Sequence, residues 1–450
     1  MTQGGSPPGV RGLTAPLLRA KSFLFPKLRH VRQFLVNQGF ATAANLFYGL
    51  LCVRMLPYGE YAKFAVVFGI QGTLTMLMDV GISGTLMPLV GDRTDDLQRI
   101  ADYIASLRRI AHWLYATVAV GTILAFPWFV RNRQWSIGTV AAMIAIVLCS
   151  TWFSRVSGAY GAVLIIRRDR ARWYRAQLVS SFGTLALLLL FRAMHRLDAF
   201  NAILINVAGI ASVGLTYYYR ARQLLGVTGV PSREKQKAIV QLALPVAPGA
   251  VFYAMQGQIA LLLITFFGKT AAVASVGALG RMAQVFSLLG QMNLLLVEPH
   301  FAKLPAIRLK AHYLIAVAIT AGGALSIVAL AALFPQLFLW VLGPRYANLQ
   351  FELLLVISNG AIGLISGVVY TINNSRRFVY WWQNITTISL TIVVQSLYLW
   401  KGDLHTVRSV LWFGIAATSV SCSVQIASAF YGFLHGPRRI VGIDQHVEAM

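Results

Sequence analysis

Charge is scarce in this sequence, and acid is scarcer than base. Only 12% of the 450 residues are charged, with 14 Asp and Glu against 39 Lys and Arg, while 57% are hydrophobic. A soluble chain carries roughly a quarter of its residues as charges, so a soluble multidomain enzyme is excluded. Cysteine is nearly missing, and Cys52, Cys149 and Cys422 all stand in apolar runs, which leaves no disulfide framework. No P-loop pattern occurs, since Gly268-Lys-Thr270 lacks the upstream glycine, so nothing cradles ATP phosphates. HExxH and CxxC are absent and the eight histidines share no ligand spacing, so neither a metal nor any other cofactor is expected. Outward connections are too short to house a glycosyl-transfer site, which argues against an enzyme.

What the chain has is apolar runs. Its mean hydropathy is +0.65, and a bilayer core takes about 20 apolar residues per helix. Twelve runs qualify, over 34–56, 61–90, 111–130, 137–157, 176–192, 199–219, 239–266, 271–298, 313–341, 350–373, 380–400 and 409–434. They lack the alternation of an outer-membrane barrel, so the expected fold is an all-α membrane protein of about 12 transmembrane helices. With the N-terminus inside, 28 of the 39 basic residues fall in inward tails and loops, 10 fall at outward connections, and Arg281 lies within a span. That bias places both termini in the cytoplasm. It also spends most of the +25 formal charge on topology, so nucleic acid is not an expected partner. Residues 1–33 read as a basic cytoplasmic tail without a cleavable leader. The basic segment 220–238 divides the spans six and six, giving lobes over 34–219 and 239–434 and a tail over 435–450.

Polar residues inside the spans carry the chemistry. An ionisable group at mid-bilayer costs about 2.5–3.5 kcal/mol and usually faces a cavity or a partner. Asp79, deep in the second span, and Arg281, in the eighth, are such groups. At 100° per residue, Gln38, Thr42, Asn45 and Gly49 share one face of the first span, and Gln71, Thr75 and Asp79 one face of the second. Arg281, Gln284 and Gln291 align on the eighth. Asn359, Gly363, Ser366, Tyr370 and Asn373 align on the tenth, and Asn384, Thr387, Thr391 and Gln395 on the eleventh. One such stripe reads equally as helix–helix glue, but five from both halves favour a shared hydrated cavity. Arg54 closes the first span, as an anchor or at a cavity mouth. Pro245 and Pro248 open the seventh span and predict a bend there, static or hinged.

Several stretches resemble one family. They are Val53-Arg-Met-Leu-Pro-Tyr-Gly-Glu-Tyr61, Met78-Asp-Val-Gly-Ile82, Leu244-Pro245, Glu298-Pro299-His-Phe301 and Val341-Leu-Gly-Pro-Arg-Tyr346. In their order, with the spacing of the first shortened, they are similar to the Wzx-like polysaccharide repeat-unit flippases of the multidrug/oligosaccharidyl-lipid/polysaccharide exporter superfamily, over nearly all of residues 31–434. The resemblance implies two six-helix lobes around a central cavity in a bacterial inner-membrane protein. Its substrate would be an undecaprenyl-pyrophosphate-linked oligosaccharide, flipped to the periplasmic leaflet by alternating access for exopolysaccharide, O-antigen or capsule export. A polysaccharide polymerase and a chain-length protein would be its partners. Many members carry an acid in the seventh span where this chain has Gln256 and Gln258, so H⁺ or Na⁺ coupling would fall to Asp79. On this reading Arg281, with Arg54, neutralises the pyrophosphate, and Gln284, Gln291, Gln38, Asn45, Gln256, Gln258, Asn359 and Asn373 line the cavity. A cation-coupled multidrug antiporter of the same superfamily, and a membrane polymerase or glycosyltransferase, are the alternatives.

Overall fold

The computed structural model describes residues 39–436 except 80–81, 83–84, 91–94, 132–134, 168, 245–246, 303, 377, 402–403 and 405. Every described regular element is a helix. The first half holds α1 (39–55), α2 (Tyr58–Asp79), the short α3 (Leu86–Val90), α4 (Leu97–Val130), α5 (Ile137–Ile166), α6 (Arg170–Ala193) and α7 (Ala199–Leu225). The second half follows as α8 (Arg233–Ala243), α9 (Ala247–Gln256), α10 (Ile259–Phe267), α11 (Thr270–Ala302), α12 (Ala306–Leu333), α13 (Pro335–Leu342), α14 (Gln350–Ser375), α15 (Trp381–Lys401) and α16 (Val407–His435).

Each of the twelve apolar runs contains helix among the described residues. Among the described residues nine helices are long and apolar enough to cross a membrane alone, and α8 with α9 forms a tenth span if the bent pair is counted. The other two runs correspond to α1 and α15. Local sequence sets the helix starts. Asp96 accepts the Arg99 amide at 2.9 Å, Ser136 that of Thr139 at 3.2 Å, and Asp198 that of Asn201 at 2.7 Å, each satisfying an amide that has no partner within its helix. Gly226 ends α7 with φ 64°, a left-handed turn that glycine adopts without strain. Outward faces are apolar: Trp113, Leu124, Ile137, Ile307 and Trp400 are all exposed, as expected where lipid, not water, is the solvent.

Three limits differ from the sequence reading. α4 begins at Leu97, so its 34 residues span about 51 Å, well beyond a 30 Å hydrocarbon core. α5 runs on to Ile166, past the end of its apolar run at 157. α2 stops at Asp79, and α3 packs separately against α4 and α8.

Helix contacts connect the ends of the chain's two halves differently. At the end bearing α8, here the linker end, Lys235 pairs with Asp102 of α4 at 2.5 Å and the Ser232 amide donates to Ser106 Oγ at 3.1 Å. Ile239 of α8 is buried with Leu86, Ile100 and Val163 of the first half. At the far end Arg345 donates to the Leu56 carbonyl at 2.8 Å, and Tyr58 donates its hydroxyl to the Arg345 carbonyl. Trp128 of α4 meets Phe266 of α10 with ring centroids 4.7 Å apart. Between these ends α2 and α11 pack closely: a Cβ on Gly277 would stand 2.6 Å from that of Ala65, so only glycine fits.

Candidate substrate cavity

A cavity of about 730 Å³ runs from the middle of the bundle toward the linker end, where Asp79, Ile82 and Leu107 rim it. α1, α2, α5, α6 and α7 form most of its wall, and α11 closes one side with Arg281 and Gln284. The lining is rich in amides and hydroxyls. Gln71 donates to Asn206 Oδ1 at 3.1 Å and also reaches Ser150 Oγ, while Ser180 donates to the Gly209 carbonyl at 2.8 Å. These bonds fix the α2–α5–α7 wall and satisfy polar groups that the bilayer would leave stranded.

Arg281 is only 5% exposed. Its guanidinium carbon lies 3.9 Å from the Phe68 ring centroid and 5.5 Å from that of Phe64, a cation–π arrangement that steadies the charge without neutralising it. Gly49 of α1 makes room: a Cβ there would come within 2.9 Å of Arg281 Cδ. Among the described residues no carboxylate is within salt-bridge reach of Arg281. A second arginine joins it across the cavity. Arg155 of α5 lies 3.8 Å above the Trp152 ring, and its Nη1 is buried with no hydrogen-bond partner among the described residues. Asp79 is the acid in the cavity lining. It ends α2 and is exposed, eleven residues beyond Phe68, or about 16 Å along the helix. It therefore sits at the rim of the cavity, at the last described residue of α2.

Three of the five polar stripes reach this cavity. Thr42 and Asn45 come from α1, Gln71, Thr75 and Asp79 from α2, and Arg281 and Gln284 from α11. Gln38, Pro245 and the side chain of Gln291 lie outside the described residues. On α14 and α15, Ser366, Asn373 and Gln395 bond to neighbouring helices. Asn373, fully buried, donates to the Gln425 carbonyl at 2.9 Å, and Ser366 donates to Gln425 Oε1 at 3.2 Å. Gln395 exchanges two hydrogen bonds with Gln256, at 2.7 and 2.9 Å. Asn359 lies beside Gly414 of α16, and Gln258 lies over Gly69 and Gly72 of α2. None of Gln256, Gln258, Asn359 and Asn373 lines the cavity, nor does Arg54, which covers Trp340 at the far end, 5.3 Å from its ring centroid. A polar stripe at helical spacing marks a buried face, and both a cavity and a neighbouring helix satisfy it.

Sequence reasoning missed Arg155, Gln177 and Asn206. The last two are polar residues within apolar spans, which was a usable signal. Arg155 was masked by the basic run that follows it, although the apolar stretch to Ile166 shows that the helix continues. Pro248 is the second residue of α9, and α8 and α9 meet at 58°, so the expected bend is present.

No protein-family model and no curated protein matches the sequence. Solved structures do. An inward-facing multidrug resistance MATE family transporter of the MOP superfamily superposes with TM-score 0.62 at 16% identity, over 91% of this chain and 95% of that one. An outward-facing MATE family transporter of that superfamily gives 0.53 at 17%, over 94% and 95%. A MATE protein in the bent conformation gives 0.53 at 14%, over 94% and 96%. The chain thus has the MATE-like transporter fold.

Proposed function

We propose that this protein is an alternating-access membrane transporter that flips undecaprenyl-pyrophosphate-linked oligosaccharide across a bacterial inner membrane, for exopolysaccharide, O-antigen or capsule assembly. The observation that carries the reading is the charge of the cavity: Arg281 and Arg155 face it with no carboxylate partner among the described residues, and amides and hydroxyls surround them. A phosphate 4 Å from one guanidinium gains about 4 kcal/mol at an effective dielectric constant near 20, and a cationic drug there loses as much. Sugars would exchange hydrogen bonds with Gln71, Asn206, Gln177 and Gln284, while the lipid tail remains in the bilayer.

The basic balance assigns the linker end to the cytoplasm. Far-end contacts then seal the periplasmic side, which is the inward-facing state, in keeping with the higher TM-score to the inward-facing neighbour (0.62 against 0.53). Two six-helix lobes would rock about the α8–α9 bend, with Pro245 and Pro248 as the hinge. Asp79 at the rim would take a proton or Na⁺ from the cytoplasmic side, coupling ion binding to return of the empty carrier. A polymerase and a chain-length protein would receive the flipped units.

A second reading, a cation-coupled multidrug antiporter, is equally consistent with the fold comparison. A deletion strain separates the two. Cytoplasmic-leaflet accumulation of lipid-linked repeat units, relieved by the wild-type gene and not by Arg281→Gln at equal protein level, is the expected result. Unchanged glycan display with new drug sensitivity would sink the flippase reading.

A further inference from the structure

Beside the central cavity lies a second space that the transport path above does not use. It is a groove of about 350 Å³ between α4, α5 and α7, bounded by Arg108, His112, Trp152, Arg155, Leu215 and Tyr218. A neighbouring space of about 420 Å³ continues it along Arg108, Tyr218 and Arg222 to the end of α7. Among the described residues neither wall contains an acidic residue. Ala111, Arg155 and Ala159 line both the groove and the central cavity, so Arg155 stands in the partition between them.

The groove has the composition of a membrane-interface site. Leu215 is 42% exposed and Trp113, beside His112, is 75% exposed, so the outer face is apolar. The ring of Trp152 carries Arg155 on one side and meets the edges of His112 and Tyr115 at centroid distances of 5.5 and 5.1 Å. Arg222 donates to the Tyr218 hydroxyl at 3.1 Å. Three guanidinium groups thus follow one another from the end of α7 to the cavity wall. The innermost has a buried Nη1 with no partner among the described residues, a group whose burial without an acceptor is costly. Arginine presents a planar fork that matches phosphate oxygens, and a cluster near a membrane surface attracts anionic head groups.

We propose that this groove is a lateral binding site for the phosphate head of a lipid in the leaflet at the linker end, and that it admits that head to the cavity past Arg155. The lipid phosphate sits first between Arg108 and Arg222, then against Arg155, while its hydrocarbon chain lies along the exposed apolar face of α4 and α7. Binding in the groove stands on its own, whereas passage into the cavity rests on the transport reading.

The test is photolabelling of the full-length protein in phosphatidylcholine nanodiscs that carry a head-group-reactive phosphatidic acid, with head-group-reactive phosphatidylcholine as the comparison. Phosphatidic acid should label peptides around residues 108–115 and 152–160 preferentially. Arg108→Gln and Arg155→Gln should each cut that labelling about fivefold, as expected for one basic residue near an anionic membrane surface. Labelling of the lipid-facing residues around Ile307 should not change, and Arg155→Lys should recover most of the loss, which separates lost charge from lost folding. Equal labelling by the two lipids, or no response to either glutamine variant, overturns the proposal. Abolition by inorganic phosphate at equal occupancy would assign the groove to free phosphate instead and overturn the lipid assignment. If labelling fails while Arg281→Gln still blocks glycan export, the groove falls and the flippase reading stands; labelling without any glycan phenotype gives the reverse.

Discussion

Arg281 is held by shape more than by charge. Phe68 and Phe64 take its planar face, and Gly49 leaves the space its aliphatic stem occupies. Lysine in its place keeps the charge but loses the stacking, worth about 0.5–2 kcal/mol. Arg281→Lys should therefore lower the transport rate by roughly threefold to thirtyfold, and Gly49→Val should act similarly by pushing the guanidinium off its rings. Rates in proteoliposomes, normalised to folded protein, check both. Asn373 is the contrasting residue. Its amide supports the α14–α16 contact through the Gln425 carbonyl, so Asn373→Ala should cost about 1–3 kcal/mol of stability. Thermal unfolding in detergent would show the loss, with the turnover of the surviving protein unchanged. These two residues mark what one sequence reveals. Arginine in an apolar span signals a cavity or a partner, because hydrocarbon gives the charge no other home. Asparagine at helical spacing signals less, because a neighbouring helix satisfies it equally well, as Gln425 does for Asn373.

At the scale of elements, apolar runs located every helix, since the bilayer requires closed backbone hydrogen bonding within each span. The limits were less legible. Hydropathy senses the hydrocarbon core and not the helix, so it missed the amphipathic start of α4 at Leu97 and the end of α5 at Ile166. The bend at α8–α9 was readable because Pro248 has no backbone N–H and its ring disfavours a straight continuation. Pro248→Ala should straighten the 58° junction and slow transport severalfold, with substrate binding retained. Spin labels on α8 and α9 would report the angle as a longer interlabel distance; an unchanged distance with normal transport would remove the bend from the mechanism.

Over the whole molecule, two sets of contacts compete. Asp102–Lys235 and the buried Ile239 tie α8 to the first half at the linker end. Arg345, Tyr58, Trp128 and Phe266 close the far end. A hydrogen bond from a charged donor is worth about 1.5–3 kcal/mol, so Arg345→Ala should favour the far-end-open state by about tenfold or more. A cysteine at Asn45 should then react faster with an impermeant thiol reagent added on the far side. What composition alone could not divide was the +25 charge. On the proposed topology most of it would set orientation, while Arg108, Arg155 and Arg222 line the lateral groove and Arg281 with Arg155 lines the cavity.

Flipping of a fluorescent polyprenyl-pyrophosphate oligosaccharide in proteoliposomes should depend on that positive cavity. Wild-type protein should move the lipid between leaflets, and Arg281→Gln should slow it at least tenfold, the loss of roughly 1.4 kcal/mol or more of phosphate interaction. An unchanged rate in the variant, or exchange of a cationic dye by wild-type protein with no lipid movement, would contradict the account.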